Sequence, residues 1–218
     1  MQVLTVADEV VPAIYSLNIK QRFSEAQLVL ACGDLPFYYL EFIVTMLGVS
    51  CLYVRGNHDK PEESADGQTL LAPRGCVSVE GRTKRQGGLL IAGLGGSLRY
   101  NREGHDQYTE SQMAVRTWLL APRLMLNKLR YGRYLDIMLT HAPPLGIHNG
   151  PDRPHHGFNA FLALMRRFEP RYLIHGHIHL SYGFGSVTET RYHKTTVLNT
   201  AGYRFIQIDD CEPSERVV

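Results

Sequence analysis

The chain is poor in cysteine. Four occur, at Cys32, Cys51, Cys76 and Cys211, each alone, and no Cys-x-x-Cys pair exists. That argues against a disulfide framework and a thiolate zinc knot, and predicts buried, reduced thiols. No apolar run is long enough to span a bilayer, so no membrane partner is expected. The amino terminus lacks a basic stretch followed by an apolar segment, so no signal peptide is read and a cytoplasmic location is expected. Charge of one sign is also scarce. A formal net charge of +2 neither demands nor excludes nucleic acid. No repeat, low-complexity tract or domain boundary interrupts the pattern. What remains is 218 residues, 44% hydrophobic, which fit one α/β domain over residues 1–218 with a sizeable core.

The richest stretch is Tyr53 to Lys60, YVRGNHDK. Leu52-Tyr53-Val54 reads as a buried strand, Gly56 permits a sharp turn, and Asn57, His58 and Asp59 follow at the strand's carboxyl end. In open α/β sheets ligands bind at that end. Alone, these residues are also ordinary loop chemistry. Other stretches repeat the design, however. Val3–Val6 leads to Asp8, Leu28–Cys32 to Gly33-Asp34, and Ile137–Thr140 to His141. Tyr172–Ile174 leads to His175, Gly176, His177 and His179. Strand after strand thus delivers Asp, Asn or His where it ends. Oxygen and imidazole donors without thiolate suit Mn, Fe, Zn, Ni or Co.

The rest of the chain reads as scaffold. Pro12 predicts a helix start after Asp8, with Ile14 and Leu17 facing inward. Leu35-Pro36 opens a second helix carrying Phe37, Leu40, Val44 and Leu47, which Gly48 stops. Successive βα units imply a parallel sheet. Residues 60–73 read as a surface loop, and Gly87-Gly88 as a turn between two strands. Gly93–Tyr100 is a glycine-rich loop. It is either a tight connection or a phosphate cradle with Arg99 beside it, but it lacks the P-loop spacing. Thr109–Gln112 is a capping box. It opens a helix whose inner face is read as Met113, Val115, Trp118, Leu119, Met125, Leu126 and Leu129, with Arg116 among the solvated residues. Pro122 should kink or split that helix. The loop from Ala142 to Gly157 carries His148, His155 and His156, any of which could touch substrate or simply be solvated. Phe158, Phe161, Leu162, Met165 and Phe168 form a core-facing helix ended by Pro170. Residues 182–185, 195–198 and 203–208 read as short antiparallel strands, and 209–218 as a frayed end.

Taken in order, Asp…Gly-Asp…Gly-Asn-His-Asp…Thr-His-Ala-Pro-Pro…Gly-His-Ile-His resembles the calcineurin-like metallophosphoesterase superfamily, over nearly the whole chain from Asp8 to Gly202. The resemblance implies an α/β fold, a four-layer α/β/β/α sandwich of two mixed β-sheets flanked by helices. It implies two divalent metals, and hydrolysis of a phosphomonoester or phosphodiester by a metal-bridging hydroxide. By resemblance, Asp8 and His179 hold the first metal, Asp34 bridges, and Asn57, His141 and His177 complete the second. His58 stands beside the phosphate as an acid or charge stabiliser, with Asp59 orienting its ring. Arg99 and His156 are candidate substrate contacts. A small phosphate ester is expected as substrate, rather than nucleic acid.

One position departs from the family pattern. Its first motif is usually Asp-x-His, and here it is Asp8-Glu9-Val10. Valine cannot ligate. Glu9 should face away from Asp8 along a strand, unless the chain turns there. The first site is therefore expected to be incomplete. An alternative reading follows, in which the protein is a catalytically weakened scaffold that binds partners, as in the retromer coat. Val10 favours the scaffold; His58 favours the enzyme, because a scaffold has no need of it.

Overall fold

The computed structural model describes residues 1–64, 66–179 and 187–209. The strand expected at 182–185, Cys211 and nearly all of the expected frayed end lie outside these.

Element order is β1 (Gln2–Ala7), α1 (Ile19–Arg22), β2 (Leu28–Ala31), α2 (Phe37–Leu47), β3 (Ser50–Tyr53), β4 (Glu62–Glu63), β5 (Thr69–Leu70), β6 (Cys76–Ser78), β7 (Thr83–Gln86) and β8 (Leu89–Leu94). Then come β9 (Ser97–Leu98), β10 (Gln107–Tyr108), α3 (Glu110–Tyr131), β11 (Ile137–Thr140), α4 (Asn159–Phe168), β12 (Tyr172–His175), β13 (Glu189–Tyr192), β14 (Thr195–Asn199) and β15 (Gly202–Gln207). They build two large sheets. One runs β15-β1-β2-β3-β6, the other β13-β14-β12-β11-β8-β7. In both, the inner pairings are parallel and antiparallel strands sit at edges: β15 on β1, β13 on β14, β7 on β8. The segment 195–198, expected to be antiparallel, is so toward β13, while its other edge pairs parallel with β12.

The strands read as continuous apolar runs because both faces are covered. Alternation sorts the residues into three layers. Val3, Leu28, Leu30 and Leu52 meet Ile91, Ile137, Leu139 and Ile174 between the sheets. Leu4, Val6 and Val29 pack outward against Ile19, Tyr39, Leu40 and Ile43 near α1 and α2. On the far side Leu90, Met138 and Val197 pack against Leu120, Leu124, Phe161 and Leu164 of α3 and α4. This is the expected α/β/β/α sandwich.

Local signals explain the helix ends. Gly48 ends α2 in the left-handed region at φ 67°. Thr109 and Gln112 cap α3 reciprocally. The Glu110 carboxylate accepts the N–H groups of Asn159 (3.1 Å) and Ala160 (2.7 Å), so one helix start caps the next. Gly87 and Gly88, both at positive φ, turn the chain between β7 and β8.

Three expectations are corrected. The segment after Asp8 forms turns, and regular helix begins only at Ile19; Ile14 is buried but Leu17 is 81% exposed. Pro122 does not split α3, which runs unbroken past it. Pro122 and Trp118 both lie on the exposed side, where water can satisfy the Trp118 carbonyl that a proline four residues on leaves unbonded. The inner face of α3 also differs from expectation. Met113, Leu120, Leu124 and Asn127 are buried, whereas Val115, Trp118, Leu119, Met125, Leu126 and Leu129 are exposed. No helix among the described residues is long and apolar enough to cross a membrane.

Candidate metal centre

The carboxyl ends of β1, β2, β3, β11 and β12 meet at one edge of the sandwich, and glycines let their loops touch. A side chain on Gly33 (φ 93°) would lie 2.2 Å from the Gly56 nitrogen, and one on Gly176 would lie 2.6 Å from Asp8 Oδ2. Asp8, Asp34 and His177 all hold positive φ, at 66°, 55° and 67°. Non-glycine residues in that region are uncommon, and clusters of them mark functional sites.

Asp34, His141 and His177 each offer one ligating atom, all within 4.8 Å of one another. His141 is wholly buried. Its Nδ1–H donates to the Cys32 carbonyl at 2.7 Å, which aims Nε2 at Asp34 Oδ2 (3.3 Å) and Asn57 Oδ1 (3.1 Å). Both facing atoms are acceptors, so in the metal-free chain Nε2 carries a proton. Burial opposes charge on this ring, but Asp34, by charge and by hydrogen bond, lifts it to about 9. Burial likewise opposes charge on Asp34, yet His141 and the His58 N–H hold its carboxyl well below the usual range. Two oxygens thus converge on one cationic N–H. The same cradle would take a metal ion once that proton leaves, with the second ring nitrogen already oriented as metal-bound histidines require.

His177 donates Nε2–H to the Pro154 carbonyl at 2.8 Å, which leaves Nδ1 as its lone pair. Burial, and then the charge of His141, push this ring down to about 3, so it is neutral. Its backbone N–H donates to both oxygens of Asp8, at 3.0 and 2.9 Å. An extended segment here would point His177 and His179 the same way. Instead strand β12 ends at His175, and His177 turns left-handed. His179 therefore lies at the rim, 3.3 Å from Glu9 Oε1.

Glu9 itself corrects another expectation. Strand β1 ends at Ala7, and the turn at Asp8 brings Glu9 round to His179 instead of leaving it on the opposite face. Val10 packs against the hydrophobic layer under the first sheet. Glu9, Asp8 and His179 are nearby but not converged within the Asp34–His141–His177 cluster.

His58 is exposed. Its backbone N–H donates to Asp34 Oδ1 at 2.8 Å, and with Asp34, Lys60 and Glu62 it lines a cavity of about 310 Å³. Asp59 does not hold the His58 ring. Its Oδ2 accepts the N–H groups of Gly56 (2.7 Å) and Asp34 (3.2 Å), fixing the two loops to each other.

The glycine-rich segment is no phosphate cradle. Gly95 N–H donates to Glu80, Gly96 N–H to the Arg55 carbonyl and Ser97 N–H to the Asp106 carbonyl. Arg99 donates to the Gln107 carbonyl and to Gln112 Oε1, while lining a second cavity of about 440 Å³ with Tyr100, Arg102 and Arg153. Arg116, read as solvated, pairs with Glu80 and lies 3.9 Å over the Tyr108 ring. His156 is not brought to the cluster. Its neighbour His155 is, with ring centroids 5.3 Å from His177. Sequence reasoning also missed Tyr100, whose hydroxyl accepts from Asn57 Nδ2 at 3.2 Å, and the Pro154 carbonyl. Tyr100 lies in the segment already singled out for its glycines; nothing in the sequence marks Pro154.

A cluster of carboxylate and imidazole donors at the carboxyl edge of a two-sheet α/β/β/α sandwich defines the class of this protein. The profile of the calcineurin-like phosphoesterase family matches residues 10–181, and the chain belongs to that family. Among solved structures, TT1561 of Thermus thermophilus is similar at a TM-score of 0.60 and 17% identity, covering 92% of this chain and 89% of that one. A Vps29 variant from Entamoeba histolytica is similar at a TM-score of 0.44 and 17% identity, covering 96% and 87%. At such identities the likeness to TT1561 is one of fold. No curated protein sequence matches the chain.

Proposed function

We propose that the protein is a metal-dependent phosphoesterase acting on a small phosphomonoester or phosphodiester. The observation that carries this reading is the convergence of Asp34, His141 and His177 beneath an exposed His58. Two divalent metals held here would neutralise the phosphate's charge and make a bound water acidic enough to attack it. Asp34, with two carboxylate oxygens, would be shared between them. Asn57, His141 and His177 would hold the second. Asp8, Glu9 and His179 would hold the first, Glu9 standing in for the histidine that Val10 replaces.

The chain's own groups do the rest. The Asp59 carboxylate fixes the loops that carry Asp34 and His58. Tyr100 steadies the Asn57 amide, so its oxygen keeps facing the site. Substrate enters the cavity lined by His58 and Lys60, where Lys60 offers a cation to the phosphate. His58, free in solvent, passes a proton to the departing oxygen. The scaffold reading rested on Val10 alone, and Glu9 beside His179 removes most of its weight. A cytoplasmic location fits this chemistry and belongs to the same proposal.

The test is hydrolysis of p-nitrophenyl phosphate and bis-p-nitrophenyl phosphate by apo-protein reloaded with Mn, Fe, Zn, Ni or Co. The reading expects metal-dependent turnover that Asp34→Asn abolishes together with metal binding. Turnover equal in the variant, or two metals per chain bound by it, would overturn the assignment.

A further inference from the structure

Helix α3 has two apolar stripes, and the fold uses one. Met113, Leu120 and Leu124 go into the layer beneath the second sheet. The opposite face should be polar in a surface helix. Instead it presents Val115, Trp118, Leu119, Pro122, Met125, Leu126 and Leu129, with Trp118 70% and Leu129 84% exposed. Together these side chains expose roughly 600–700 Å², at or above the largest apolar patch of an ordinary monomer. Exposed Trp118 is also the chain's one tryptophan.

The order of the stripe says what covers it. It is a palindrome about Pro122. Val115 and Leu129 each lie seven residues away, Trp118 and Leu126 four, Leu119 and Met125 three. A two-fold axis through Pro122, perpendicular to the helix, would set a second α3 antiparallel on the first. Val115 would then meet Leu129 of the second copy, Trp118 its Leu126, and Leu119 its Met125. Every apolar residue finds an apolar one. Such self-complementarity is what an isologous contact requires. Val115, Pro122 and Leu129 repeat at the heptad spacing of paired helices. Ala114 is exposed on one flank of the seam and allows close approach, while Arg123 and Arg130 stay on the other. Antiparallel pairing also opposes the two helix dipoles. Complete burial of the stripe on both copies would remove at most about 1,200–1,400 Å², the lower end of the range of stable specific interfaces.

We infer that the protein is a two-fold homodimer formed by antiparallel pairing of α3 with its copy, crossing at Pro122. The inference stands apart from the phosphoesterase reading. The metal-centre residues lie on other elements, and pairing through α3 involves none of them.

Light scattering of the full chain after size exclusion, at micromolar concentration, should give twice 24.7 kDa. The double variant Trp118→Glu/Leu126→Glu changes exposed positions only. It should keep its circular dichroism spectrum and melt, and its mass should halve. Cysteine crosslinking then checks the geometry. Under copper–phenanthroline, Pro122→Cys should crosslink to itself far beyond the natural chain. Val115→Cys alone should not, because its two copies would lie roughly 20 Å apart at the helical rise. A mixture of Val115→Cys and Leu129→Cys should. A monomeric natural chain, a dimer that survives the double glutamate variant, or self-crosslinking at 115 rather than 122 would each overturn the proposal.

Discussion

Nδ1 of His179 lies 3.3 Å from Oε1 of Glu9, across 170 residues of chain. The contact exists because Asp8 takes a left-handed conformation and turns the chain one residue after β1 ends. A position that looked orphaned by Val10 thus has an oxygen donor beside its histidine. Glu9→Ala should weaken the first metal by 10–100-fold, the scale on which groups around a metal tune it, and leave the second unchanged. Glu9→Asp, too short to reach, should resemble Ala. Calorimetric metal titration of apo-protein checks this. Equal affinities in all three proteins would return the first site to three ligands, as Val10 alone suggests.

His58 is exposed, and only its backbone N–H touches the cluster. His58→Ala should therefore keep the protein's metal content while lowering turnover by roughly 10²–10⁴-fold, the usual contribution of a general acid. Elemental analysis beside kinetics separates the roles. Lost metal would make His58 a ligand.

The protonation of His141 predicts a pH dependence for metal binding. Burial lowers this ring's affinity for a proton, but Asp34 raises it further, to about 9. Metal needs the bare Nε2, so below pH 9 filling the second position should expel one proton. Affinity should rise about tenfold per pH unit up to 9 and then level. Asp8, which burial raises to about 6, adds a second proton only below that pH. His177 is already neutral and adds none. The linked stability has the opposite sign. The raised His141 stabilises the metal-free fold fully below about pH 6.5, and that contribution fades as pH rises through 9. Calorimetry at pH 7.5 in buffers of different ionisation heat counts the protons; a count of zero would mean that Nε2 is bare before metal arrives.

Much of this was legible in the sequence, for definite reasons. Strands buried on both faces are unbroken apolar runs, so β1, β2, β3, β11 and β12 could be read directly, and Asp34, Asn57 and His141 stand at or beyond their ends. Glycine and capping chemistry gave Gly48 and Thr109–Gln112 for the same kind of local reason. What failed depends on conformation or on choice of neighbour. Residue period alone does not say that Asp8 and His177 turn left-handed, so it puts Glu9 and His179 on the wrong faces. On α3, both stripes have helical spacing, and only the packed sheet decides that Leu120 and Leu124 go inward and Trp118 stays out. Asp59 beside His58 suggests an orienting carboxylate, but backbone N–H groups of Gly56 and Asp34 claim it first.

Gly56 supplies a test of how closely the site is built. Its backbone is not in the left-handed region, so alanine carries no conformational penalty there; the objection is space. A side-chain carbon would lie 2.0 Å from Asp34 Oδ1 and 2.8 Å from the Asp34 nitrogen. Asp34 would have to swing off its contacts with the His58 N–H and His141 Nε2, so the bridge would be lost even if the fold held. Gly48 is the matched control. It has φ 67° with nothing within 4 Å of an added carbon, so Gly48→Ala carries strain without collision. That variant should lose about 1 kcal/mol of stability and bind metal as the natural protein does. Gly56→Ala should lose metal affinity by at least tenfold, more than its melting point would suggest. Thermal melts and metal titrations of the two variants, run together, check both halves. Should Gly56→Ala bind metal normally, the contact between the β2 and β3 loops is slack, and Asp34 is held in place by something other than close packing.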